Sequence, residues 1–194
     1  PLDIGSQSKE ANVVFRDFKI FNKSGKGDPN LTISAEGGSN EYYKGNISLG
    51  GETAGFSYLL NFSRLQTEGI SVIRGDDFEN DPYQNNSGFI KIGYHIGDRI
   101  KSDFSYKIID SKTDLDQSSL NGDDPNYVSN SESHLLNFKI SAIPALNIWE
   151  YKVRASIYRN LINAKDKIDD SNPHTWSTSQ YKGNRLSIDW QNNF

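Results

Sequence analysis

The sequence predicts an all-β protein of the antiparallel, up-and-down transmembrane β-barrel class, and three observations carry that expectation. Hydrophobic residues recur with a period of two along almost the whole chain. The connections between the alternating segments are short and long by turns. The chain is also rich in rings, with 10 Tyr, 10 Phe and 3 Trp among 194 residues, although only 35% of it is apolar. No run approaches the ~18–20 apolar residues of a membrane-spanning helix. A spanning strand needs apolar side chains only on its lipid-facing parity, so low mean hydropathy does not count against it.

The alternation marks eight strands. Leu31, Ile33 and Ala35 give the first, and Tyr43, Gly45, Ile47 and Leu49 against Tyr42, Lys44, Asn46 and Ser48 the second. Phe56, Tyr58, Leu60 and Phe62 mark the third, and Ile90, Ile92, Tyr94 and Ile96 the fourth. Ile100, Phe104, Tyr106 and Ile108 oppose Lys101, Asp103, Ser105 and Lys107 in the fifth. Leu136, Phe138, Ile140 and Ala142 mark the sixth, Trp149 to Ile157 the seventh, and Leu186, Ile188 and Trp190 the eighth. No helical period competes.

Alternation alone also fits a soluble β-sandwich. Connection length separates the two. Residues 38–41, 50–55, 97–98 and 143–147 form tight connections, whereas 66–86, 111–132 and 161–178 form long ones. Short turns on one side and long loops on the other are the habit of outer-membrane barrels. The strands are expected to run about nine to thirteen residues, beyond the ~5–6 usual in soluble sheets. Aromatics near strand ends (Tyr43, Phe56, Tyr94, Trp149, Trp190) suit interfacial girdles.

Several functions are disfavoured. A net charge of -4 without a Lys/Arg cluster gives no nucleic-acid stripe. The absence of Cys removes disulfide and thiolate chemistry. There is no Gly-x-Ser-x-Gly elbow, and His95, His134 and His174 fall on separate elements. No catalytic residue is expected, and an enzyme is not.

The candidate site is acidic. One long connection carries Asp76, Asp77, Glu79 and Asp81, and the next carries Asp110, Asp114, Asp116, Asp123 and Asp124. Calcium takes six to eight oxygens, which two facing loops could supply. Asp76, Asp77, Asp81, Asp110, Asp114 and Asp116 are therefore the candidate metal ligands, with ordinary solvated loop acids as the competing reading. No EF-hand spacing is present. The polar strand face, with Lys91, Lys101, Asp103, Lys107, Lys139, Lys152, Arg154 and Arg185, could line a wet lumen or face solvent.

Short motifs add a resemblance. Asp3-Ile4-Gly5-Ser6-Gln7, Asn12-Val13-Val14 and Gly25-Lys26-Gly27-Asp28-Pro29 resemble the end of the plug domain of TonB-dependent receptors. Leu31 to Ser39 resembles the first barrel strand and its hairpin, and Phe56 to Ser63 with Thr67-Glu68-Gly69 the third strand and its outer loop. Within that family the likeness is to cobalamin-type transporters. It covers nearly the whole chain, with short and degenerate motifs. It implies that residues 1–29 end a plug and linker, and that 30–194 are the opening strands of a barrel of ~22. It also implies a bacterial outer-membrane location and energised uptake of a small nutrient, a corrinoid or metal chelate. The plug proper and TonB would be partners outside this chain. Calcium in the outer loops is implied as well; no other cofactor is. The segment between Gln7 and Gly25 is longer and more charged than the family pattern. The alternative is a small closed eight-stranded barrel or a soluble sandwich with a structural or adhesive role.

Overall fold

The computed structural model describes residues 25–71, 80–116, 124, 126–144, 149–169, 173 and 176–193. Eight strands follow one another: β1 (Asn30–Gly37), β2 (Tyr43–Thr53), β3 (Phe56–Thr67), β4 (Tyr83–Ile96), β5 (Ile100–Asp114), β6 (Val128–Ala142), β7 (Glu150–Asp166) and β8 (Ser177–Asn193). They form one antiparallel sheet in the order β1-β2-β3-β4-β5-β6-β7-β8. The sheet is a single layer, because strands touch only their sequence neighbours. No second sheet packs on it, so the sandwich expectation is not what the described residues show. β1 and β8 are not paired with each other, so the sheet is open and closure into an eight-stranded barrel is not seen either.

Tight turns set the register. Between β2 and β3, Ala54 and Gly55 both have positive φ (47° and 81°), the two-residue geometry that matches strand twist. Gly55 is required there for a second reason. Its carbonyl accepts the His95 amide at 2.9 Å, and a Cβ would come within 2.6 Å of the His95 carbonyl oxygen. At the opposite end the β1–β2 hairpin closes with Gly38 donating to Tyr42 O at 2.9 Å, with Asn40 and Glu41 at positive φ.

That register aligns the two parities into two continuous faces. On one, Ile33 lies opposite Ile47, Ile47 opposite Phe62, Leu60 opposite Ile90, Ile92 opposite Phe104 and Phe104 opposite Phe138. The row continues through Leu136 opposite Ile157 and Ile157 opposite Leu186. The other face carries cross-strand polar pairs. Asn61 donates to Asn46 at 2.8 Å, the Ser63 and Ser87 hydroxyls bond at 3.1 Å, and Lys91 approaches Asp103 at 3.7 Å. Ser133 donates to Asn160 at 2.7 Å, and the Ser156 and Ser187 hydroxyls bond at 2.6 Å. Such pairs each contribute roughly 0.2–1 kcal/mol and fix the strands laterally.

Almost nothing apolar is buried. Among the described residues, Leu59 and Ala164 are the buried hydrophobics, both at 8% exposure. Leu59 sits on the polar face over Gly50, beside Gly25. There the segment preceding β1 is tied to the sheet, with Glu52 donating its amide to Gly27 O at 2.8 Å. By contrast Ile33 is 69% exposed, Phe62 52% and Ile188 70%.

The strands extend past the expected ends on the long-loop side. β4 starts at Tyr83, β5 runs to Asp114, β6 starts at Val128, and β7 runs to Asp166. The long connections are therefore 68–82, 115–127 and 167–176, shorter than expected. The reason is physical: beyond the apolar stretch both parities are polar, so alternation gives no sign that pairing continues.

Candidate functional site

The long connections all leave one end of the sheet, and the candidate acids among the described residues lie toward that end. Asp76 and Asp77 lie outside the described residues. Asp110 and Asp114 are not loop residues, as the sequence suggested, but belong to β5. Asp110 faces Asn86 on β4 and Glu132 on β6. Like charges opposite each other repel, and Glu132 is drawn instead to His134, whose Nε2 lies 2.6 Å from its carboxylate. The His134 Nδ1 meets the Tyr106 hydroxyl at 2.7 Å. His134 is thus the middle of a cross-strand chain, Tyr106–His134–Glu132, which its isolation in the sequence did not reveal.

The β4–β5 ladder continues one residue into the base of the first loop. Asp114 donates its amide to Pro82 O at 3.1 Å and pairs through its carboxylate with Lys112 at 3.4 Å. Asp81 adjoins Pro82, and its carbonyl closes on Gly69, where a Cβ would come within 2.3 Å of that oxygen. Across the first hairpin, Thr67 donates its hydroxyl to Asn40 O at 2.8 Å and Glu68 its amide at 2.9 Å.

A tighter knot joins the second loop to the third. Asp124 is 1% exposed. Its amide points to Asp116 Oδ1 at 3.4 Å, and its own Oδ1 accepts the Asn126 amide at 3.3 Å. Asn126 then donates its side-chain amide to Asp169 and accepts the Lys167 amide at 2.7 Å. Leu115 donates to Tyr127 O at 2.8 Å, closing the loop base. Among the described residues, Asp124 Oδ2 has no hydrogen-bond partner. The buried acid is thus linked to the third loop through Asn126. Sequence reasoning named Asp124 only as one loop acid among several, and did not single out Asn126. Among the described residues, no three His, Asp or Glu side chains are grouped to hold a metal ion.

No family model, curated protein or solved structure matches this chain.

The remaining feature of this end is the border of the apolar face. Going along β3, β5, β6, β7 and β8 toward the long loops, Phe62 is followed on its face by Arg64, Ile108 by Asp110, Leu136 by His134, Ile157 by Arg159, and Leu186 by Asn184. The changes on β3 and β5 lie at one level and those on β6, β7 and β8 at another, one same-face step nearer the short turns, since Ile108 pairs with His134. No helix among the described residues is long and apolar enough to cross a membrane.

Proposed function

We propose that the chain is part of an outer-membrane β-barrel receptor of the TonB-dependent kind, taking up a scarce nutrient such as a corrinoid or metal chelate. The observation that carries it is the exposed apolar face. A soluble protein rarely exposes a contiguous apolar patch beyond a few hundred Å². Here the patch runs across all eight strands, and among the described residues no layer covers it. Lipid is the partner it fits. On β5 the band runs from Ile100 to Ile108, about 27 Å of strand at ~3.4 Å per residue. A strand tilt of ~40° brings that to roughly 21 Å, close to the ~25 Å band of such barrels.

The open β1 and β8 edges fit the same reading. An unpaired ladder cannot stand bare in hydrocarbon, so further strands complete the barrel. The polar face, with its Ser, Asn and Lys side chains, then lines a wet lumen. The segment at Gly25–Pro29, held against β2 and β3 at the short-turn end, is where a plug would join the wall. External loops would capture the ligand, and a plug drawn from the periplasm would release it inward.

A hard cation belongs to this reading as a second element, and Asp124 is the observation that favours it. Burying a carboxylate without a full set of partners is costly, and a cation shared with Asp116 would relieve that cost. The other oxygens would come from carbonyls, water or neighbouring loop acids.

The experiment is uptake of radiolabelled cobalamin and of ferric chelates by cells carrying or lacking the complete gene. Accumulation that requires the gene and stops when the proton gradient is collapsed supports the reading. Unchanged accumulation of every chelate tested, with a reading frame that encodes no further strands, contradicts it.

A further inference from the structure

A groove on the apolar face lies just beyond the border line, lined by Glu132, His134, Arg159, Leu161, Lys182 and Asn184. Arg159 and Lys182 sit on neighbouring strands, with Arg159 opposite Asn184 and Leu161 opposite Lys182. Both cations are exposed. Among the described residues neither has an ion-pair or hydrogen-bond partner. The acid in the groove does not pair with them: the Glu132 carboxylate lies 2.6 Å from His134 Nε2, and the Tyr106 hydroxyl meets His134 Nδ1 at 2.7 Å. The floor toward the border is apolar: Ile157 precedes Arg159 on its face, and Leu186 follows Asn184 on its own.

We propose that this groove binds a phosphate-bearing lipid headgroup in the leaflet on the long-loop side. The inference rests on the membrane reading above. A lipid whose acyl chains lie on Ile157 and Leu186 brings its phosphate to the level of the next same-face residues, which are Arg159 and Asn184. A guanidinium presents a planar fork that matches two phosphate oxygens, an ammonium adds a second charge, and an amide a further donor. A soluble phosphate would lack the apolar contact immediately below. The occupant is therefore a lipid and not a free anion.

The test uses the complete gene product in phosphatidylcholine vesicles containing phosphatidic acid. Insertion is scored by protease protection, and retained phosphatidic acid by native mass spectrometry. The double variant Arg159→Gln, Lys182→Gln should insert normally and retain phosphatidic acid about thirtyfold less tightly, the effect of removing two cations at a lipid surface. The same charge change on the polar face, Lys107→Gln with Lys139→Gln, should leave retention unchanged. Asn184→Asp, which adds an anion to the groove and removes no cation, should also weaken retention. Equal retention by wild type, double variant and Asn184→Asp overturns the groove while leaving the membrane reading intact. An equal loss in the polar-face control overturns it too, by showing a bulk charge effect. Failure of the wild type to insert would instead overturn the membrane reading, and the groove with it.

Discussion

Ile108 and Asp110 occupy the same face of β5, two residues apart, and the border of the apolar band passes between them. Ile108 pairs with Gly88 and His134, Asp110 with Asn86 and Glu132. Everything proposed for the chain depends on that border. Below it the face asks for hydrocarbon, and above it for water and headgroups.

Phe104 lies in the band and Ser105 on the opposite face of the same strand. Phe104→Arg should destabilise the folded protein in lipid by about 2–4 kcal/mol, the cost of a basic side chain near the bilayer midplane. Ser105→Arg enters the polar face, and the change there should stay under about 1 kcal/mol. Urea unfolding of both variants in vesicles checks the pair. Equal effects would mean that the two faces see the same environment.

Gly25 is buried, and a Cβ there would overlap the Tyr58 carbonyl oxygen. Backbone cannot yield as a flexible side chain can. Gly25→Ala should therefore lift the segment before β1 from β2 and β3 and break the bond from the Glu52 amide to Gly27. Hydrogen exchange at Glu52 should accelerate, while exchange in β5 and β6 stays unchanged. Unaltered protection of Glu52 would show that the segment is not held at Gly25.

The strands were legible in the sequence where one parity is apolar and the other polar. Ile90, Ile92, Tyr94 and Ile96 fall on one face as the alternation requires, and so do Phe104, Tyr106, Val153 and Tyr151. The strand ends were not legible. Gln84 and Asn85 differ in face but not in polarity, so no pattern marks β4 as continuing there. The same blindness placed Asp110 and Asp114 in a loop. Asp124 could not be picked out because alternation says nothing of burial within a loop, and the Asn126–Asp169 contact beside it joins residues 43 apart. His134 looked solitary because Tyr106 reaches it from β5, and Glu132 shares its face only once β6 is known to run through both.

Asp124, at 1% exposure, is the acid whose state should depend on a cation. Calorimetric titration of the complete protein with calcium should show binding in the range of roughly 10⁻⁴ to 10⁻³ M, typical of extracellular sites. Asp124→Asn should abolish the heat and stabilise the calcium-free protein, since a neutral amide is cheaper to bury than a carboxylate. A variant changed at Asp76, Asp77 and Asp81 should bind less well if the first loop also contributes ligands. Identical titrations of the wild type and Asp124→Asn would leave these residues as loop acids with no metal role.

The central claim is that the apolar face meets lipid, and the absence of Cys allows a direct measurement. Single cysteines introduced along β5 and its neighbour, from Ile100 to Asp114 and from Val128 to Ala142, can each carry a spin label in the complete, membrane-reconstituted protein. Accessibility to oxygen and to a water-soluble nickel chelate is then read residue by residue. The account predicts a period of two, with labels at Phe104, Tyr106, Leu136 and Phe138 favouring oxygen and labels at Ser105, Lys107, Leu135 and Asn137 favouring the chelate. The oxygen signal should end between Ile108 and Asp110. Equal chelate access on both parities, or an apolar parity closed to both probes, would contradict it.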